Sequence, residues 1–160
     1  MSEGQAGASD SRPDGQDSSQ DPNDLISASD ADPHQLYKRG LELLGRGSPA
    51  AAAQLLERAA QAEPRSRSVR EALARAQFDA GHYHAAARNF RWIVEASPTD
   101  DYALFGLGLA LARAGDPGAA AEHLALAAAM RPNLRHYTDA LRSVRATLQA
   151  RAEMRKGESD

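Results

Sequence analysis

Residues 101–134 read DYALFGLGLALARAGDPGAAAEHLALAAAMRPNL. The stretch carries its own punctuation. Asp100, just ahead of it, is an N-cap type, whose carboxylate can accept from the first free amides of a helix. Gly115 stands where the chain must turn, in the left-handed conformation that ends a helix. Asp116-Pro117 pairs a second N-cap residue with proline at the first helical position. Pro132 cannot continue the helix that precedes it. The reading is two helices, 101–114 and 117–130, joined by a tight turn.

The same punctuation recurs upstream with one period. Pro64, Pro98 and Pro132 are 34 residues apart, as are Gly47, Gly81 and Gly115, and Ala52, Ala86 and Ala120. Asp32, Ser66 and Asp100 keep the same spacing. Four independent columns on one period mark a repeat array. First helices are expected at 33–46, 67–80 and 101–114, and second helices at 49–62, 83–96 and 117–130. Ser48-Pro49 opens the first of the second helices as Asp116-Pro117 opens the last.

Within each pair, small residues permit close approach. Gly40, Ala74 and Gly108 on the first helix can meet Ala52, Ala86 and Ala120 on the second. Leu56, Phe90 and Leu124, then Ala59, Ile93 and Ala127, continue one face of the second helix. One such pair cannot bury its apolar face alone, but three stacked pairs can. The stack needs a solvating end. Leu134, Tyr137, Leu141, Val144 and Leu148 form a stripe at spacings of three and four, opposite Arg135, Asp139, Arg142, Arg145 and Gln149. This predicts a capping helix over 135–153, with residues 154–160 frayed. A coiled-coil dimerisation helix is the alternative, which leaves self-association open, although the stripe is short for a heptad seam.

The net charge of -3 conceals two parts: residues 1–32 sum to -7 and residues 33–160 to +4. The first part is Ser, Asp, Gly and Gln, with Leu25 and Ile26 as its large apolar residues. It cannot bury enough surface to offset chain entropy, so a disordered acidic tail is expected over 1–32. It is read as a solubilising tail, or else as an arm that folds over a basic surface. Arginine outnumbers lysine 17 to 2, which in an Ala-rich body matches the codon bias of a GC-rich bacterial genome and weakens any inference to nucleic acid.

The columns resemble the tetratricopeptide repeat, W-x2-L-G-x2-Y, then A-x3-F, then P. Leu104, Leu107, Gly108, Leu111, Ala120, Leu124 and Pro132 follow the pattern in the third unit, with Leu at the aromatic positions. GHYHAAARNF, residues 81–90, carries Gly81, Tyr83, Ala86 and Phe90 in the second, although Arg70 and Gln77 stand where large apolar residues are usual. Leu36, Gly40, Leu43, Ala52, Leu56 and Pro64 carry the first, with Arg39 departing from Leu. The resemblance implies an all-α solenoid with units 33–66, 67–100 and 101–134.

It also implies a binding scaffold whose first helices line a concave groove for a protein or peptide partner. Carried over position by position, the groove holds Tyr37 and Leu41 from unit one and Glu71, Arg75 and Phe78 from unit two. Unit three adds Tyr102, Phe105, Leu109 and Arg113, and the capping helix adds His136. Four of the eight aromatic residues fall on this one surface, so it reads as apolar anchors edged by charge. The bland alternative is that the rings pack against the next repeat. One family subclass grips the C-terminal carboxylate of large ATP-driven chaperones with Lys, Asn and Arg. The matching positions here are Tyr37, Leu41, Ala72, Tyr102 and Gly106, so no partner of that type is expected.

Motifs for chemistry are lacking. The absence of cysteine removes disulfides, thiolate metal sites and cysteine nucleophiles together. There is no H-E-x-x-H, G-x-S-x-G or Walker pattern. Gly106-Leu-Gly108 lacks the third glycine of a phosphate loop and falls within a helix, where packing accounts for it. His82 and His84 straddle a helix start and share no face, and His123 is expected on an outer face. Trp92 is expected to pack between units. No cofactor, metal or catalytic residue is assigned. With no apolar run of the roughly 18 residues a membrane helix needs and no signal-peptide pattern at the start, a cytoplasmic location is expected. The expected function is a non-catalytic interaction scaffold. The alternative is a nucleic-acid-associated protein using Arg142, Arg145, Arg151, Arg155 and Lys156, which salt dependence would reveal.

Overall fold

In the computed structural model, residues 32–160 are described. The acidic tail expected over 1–32 lies outside them, apart from Asp32. The chain forms α1 (Pro33–Gly45), α2 (Pro49–Ala62), α3 (Arg67–Asp79), α4 (Tyr83–Ala96), α5 (Asp101–Arg113), α6 (Pro117–Met130) and α7 (Arg135–Gly157). The all-α repeat architecture is as the period predicts.

Local chemistry sets the boundaries. Asp32, Ser66 and Asp100 cap α1, α3 and α5, accepting from the amides of His34, Val69 and Ala103. Asp116 caps α6 through Ala119 N–H, whereas Ser48 makes no side-chain cap on α2. Gly47, Gly81 and Gly115 have φ of 76°, 83° and 96°. Each donates back to the third residue before it, and the residue after each glycine reaches five back: Ser48 to Leu43, His82 to Gln77, Asp116 to Leu111. That is a Schellman ending, three times over. It assigns Arg46, Ala80 and Ala114 to the cap, so the first helices stop one residue earlier than expected.

Each helix packs against the next in sequence. Among the described helices, α1 also touches α3, α3 touches α5 and α5 touches α7, but no even-numbered helix touches another. The odd helices therefore crowd together on the inner side of the stack and the even ones splay on the outer side. This is the curvature that creates a concave face on α1, α3, α5 and α7.

Packing inside the pairs follows the small-residue column. A Cβ on Gly40 would lie 2.6 Å from Leu56 Cγ, and one on Gly108 would lie 2.6 Å from Leu124 Cγ. In the middle pair, Ala74 already carries the methyl group that the two glycines omit. There Phe90, in the column of Leu56 and Leu124, turns its ring to Gly106 of the next pair. Leu56, Ile93, Leu104, Leu107 and Leu124 are fully buried along the axis of the stack.

The polar residues in the second unit also find their place. Arg70 donates to Asn89 Oδ1 at 3.1 Å and to the Pro64 carbonyl through Nε and Nη2. Asn89 Nδ2 donates to Gln77 Oε1 at 2.7 Å. The Arg70 guanidinium lies 4.8 Å from the ring centre of Trp92. Two positions that the pattern fills with large apolar side chains are thus satisfied by one another through Asn89, and Trp92 covers the cluster from the second helix.

α7 closes the stack. Tyr137 is buried, with Leu104 and Ala127 as core partners, and its hydroxyl donates to Asp101 Oδ2 at 2.8 Å. The helix runs to Gly157, beyond the boundary expected at 153, so most of the segment expected to fray is helical. Among the described residues, no helix is long and apolar enough to cross a membrane.

Candidate functional site: a cleft between α3 and α5

One recess of the concave face lies between α3 and α5. It is a cleft of about 210 Å³ lined by Arg75, Phe78, Asp79, Phe90, Tyr102, Phe105, Gly106 and Leu109. Five of the ten residues expected in the groove meet here: Arg75, Phe78, Tyr102, Phe105 and Leu109. The helical repeat places them. Tyr102, Phe105, Gly106 and Leu109 fall at spacings of three, one and three on α5, and Arg75, Phe78 and Asp79 at three and one on the facing side of α3.

The floor is made by Gly106 and Phe90. A Cβ on Gly106 would fall 2.6 Å from Phe90 Cε1 and Cζ, so the glycine gives the ring its position. Tyr102 meets that ring edge to face, with centroids 6.4 Å apart, and remains 38% exposed. Phe78 and Phe105 are half-buried. Phe105 stacks on Tyr137 at 4.4 Å and meets His136 edge-on at 5.3 Å. Packing against the neighbouring unit and lining the cleft are therefore simultaneous for Phe105, not alternatives.

The remaining expected residues stand around this cleft or away from it. Arg113 lies 6.0 Å from the Phe78 ring centre and 5.8 Å from that of Tyr83, at one end. His136 borders the other end through Phe105. Glu71, one turn before Arg75, pairs with Arg67 at 3.4 Å, and Arg67 also binds Asp100. That bond to Asp100 raises the guanidinium pKa. Tyr37 and Leu41 are half-buried on α1 and do not line the cleft.

Asp79, Phe90 and Gly106 complete the cleft without having been assigned to it. Asp79 follows Arg75 by four residues and Gly106 follows Tyr102 by four, so helical spacing alone could have found both. Phe90 could not have been found that way, because it comes from a second helix and reaches across a unit boundary.

Electrostatics at the mouth favour a donor role for Tyr102. Burial raises its pKa, and the opposing influence of Arg75 is smaller. The phenol therefore stays protonated at neutral pH. Tyr137 is raised as well, first by burial and then by its bond to Asp101. His123, expected on an outer face, is half-buried, and burial together with Arg91 lowers its pKa. Among the described residues, no group of three or more His, Cys, Asp or Glu side chains could hold a metal ion.

The chain matches the family profile described as "Tetratricopeptide repeat" over residues 37–79 and 71–135. No curated protein matches it. Among solved structures, MamA MSR-1 superposes with a TM-score of 0.72 at 22% identity, covering 82% of this chain and 75% of that one. MamA 41-end from Desulfovibrio magneticus RS-1 gives 0.64 at 19% identity, covering 81% and 78%. The first TPR of Spaghetti (RPAP3), bound to HSP90 peptide SRMEEVD, gives 0.67 at 18% identity, covering 73% and 93%. At these identities the likeness is one of fold.

Proposed function

We propose a function from one premise: this chain belongs to the tetratricopeptide repeat family. Members of that family are typically protein-interaction modules and are generally non-catalytic. In our reading the chain is an adaptor that holds a segment of a partner protein along its concave face, with the α3/α5 cleft as the anchor point. The observation that carries this is the cleft itself. Four rings and Leu109 line it beside Arg75 and Asp79, its volume is about 210 Å³, and Tyr102 stays exposed. A cluster of rings at the centre of a concave surface is where binding energy concentrates.

The RPAP3 comparison does not transfer its ligand. The positions that would grip a terminal carboxylate hold Tyr37, Leu41, Ala72, Tyr102 and Gly106 here, and none can supply the ammonium or amide groups needed. A pull-down from the source cell with the full-length protein and its Tyr102→Ala variant tests the reading. Specific proteins should be lost from the variant while its circular dichroism is unchanged. Equal recovery by both would overturn it.

A further inference from the structure

We propose, resting on the peptide-groove reading, that the cleft selects an internal segment in which a bulky apolar side chain stands beside a carboxylate side chain. The apolar group enters the cleft and the carboxylate pairs with Arg75. The volume sets the size of the anchor. About 210 Å³ lies below the roughly 300–1,000 Å³ of pockets that take whole small molecules, and suits one aliphatic or aromatic side chain. Phe78, Phe90, Phe105 and Leu109 make the interior apolar, so a charged side chain would lose its hydration there without a partner.

The charge preference comes from the lips. Arg75 is exposed, and among the described residues no carboxylate lies within ion-pair distance of it. Both acids one turn away are accounted for. Glu71 is engaged by Arg67. Asp79 follows Arg75 in the less favourable order for a helical ion pair, and none forms between them. Tyr102 on α5 lines the same cleft, and its hydroxyl feels Arg75 together with Glu71, Asp79 and Asp100. Arg75 and Tyr102 both line the cleft, so a guanidinium without an ion-pair partner and a phenol hydroxyl border one space, with Asp79 on the α3 side. A carboxylate answers both, and the planar guanidinium can take it through two parallel bonds. Asp79 on the same lip repels a second acid, which limits the preference to one.

The position of the cleft argues for a side-chain carboxylate over a chain terminus. It lies midway along the inner layer, with Tyr37 and Leu41 of α1 on one side and His136 of α7 on the other. A segment that continues in both directions uses all of that face.

The test is an array of random dodecapeptides, acetylated and amidated so that no terminal charge contributes. It is probed with wild type, Arg75→Glu and Tyr102→Ala, each checked for helicity by circular dichroism. Wild type should enrich Asp or Glu within two residues of Leu, Ile, Met or Phe. Arg75→Glu should weaken those peptides roughly five- to tenfold and enrich Lys or Arg in their place, since reversing a surface charge turns a modest attraction into repulsion. Tyr102→Ala should lose both classes. If wild type and Arg75→Glu bind one common set without acids, the charge preference is wrong and the groove reading stands. If folded Tyr102→Ala binds as wild type does, or wild type captures no peptide, the groove reading itself falls.

Discussion

The ring of Phe90 lies against the bare backbone of Gly106, where an added Cβ would stand 2.6 Å from two ring carbons. Phe90 is 3% exposed, so the ring has little room to retreat. Gly106→Ala should therefore overpack the α4/α5 junction by about 1–3 kcal/mol, offset by about 1 kcal/mol of gained helix propensity. Gly45→Ala is the control, because no described residue lies within 4 Å of its added Cβ. It should stabilise by up to about 1 kcal/mol. Thermal melts of the two variants moving in the same direction would contradict this placement of Phe90.

Ala86 is 0% exposed on α4, which packs against α3. Ala86→Leu forces three carbons into a filled junction and should destabilise by about 1–3 kcal/mol. The lost stability should appear as a lower midpoint in urea with an unchanged slope. An unchanged midpoint would mean that the two helices do not meet at this residue.

What was readable in the sequence was what is local. A cap, a left-handed glycine and a proline stop act within a few residues, so Asp32, Ser66, Asp100 and the three glycines could be placed without a structure. The cleft was half readable, because helical spacing groups Tyr102, Phe105 and Leu109 on one face but cannot show that Phe90 crosses to them. Arg70 and Gln77 read as departures because polar residues at buried positions make sense only beside their partners, and Asn89 is 19 and 12 residues away. The length of α7 was missed for a different reason. Its last turns are wholly exposed, which suggests fraying, but Arg, Ala, Glu, Met and Lys are good helix formers and no breaker precedes Gly157.

Alkaline pH should loosen the attachment of α7. The folded protein holds the Tyr137 proton more tightly than the unfolded chain does, since burial and the bond to Asp101 raise its pKa. The stabilisation is therefore complete below about pH 10, the ordinary phenol value, and declines as pH rises past it. Tyr137→Phe cannot ionise. It should be less stable at pH 7 by about 0.5–1.5 kcal/mol for the lost hydrogen bond, yet lose less stability than wild type between pH 10 and 12. Melting curves across that range decide it, and parallel declines would remove Tyr137 from the account.

The Arg70–Asn89–Gln77 cluster makes a prediction about coupling, which a single variant cannot test. Asn89→Leu removes the partner of both neighbours, leaving Gln77 Oε1 without its donor and Arg70 without one acceptor. Gln77 and Asn89 are both buried, so the loss should amount to about 1–3 kcal/mol. Gln77→Met alone strands Asn89 Nδ2 in the same way, although a weaker bond to the Ala85 carbonyl at 3.4 Å softens the effect. In the double variant neither polar group remains to be stranded, and two side chains of similar shape fill the space. It should therefore be less destabilised than the sum of the single variants, by about 0.5–3 kcal/mol. Arg70 keeps its bonds to the Pro64 carbonyl and its place over Trp92 in all three proteins, so tryptophan fluorescence should report an unchanged environment. Simple additivity in urea unfolding would mean that Asn89 and Gln77 do not depend on one another, and the two polar positions would then need separate explanations.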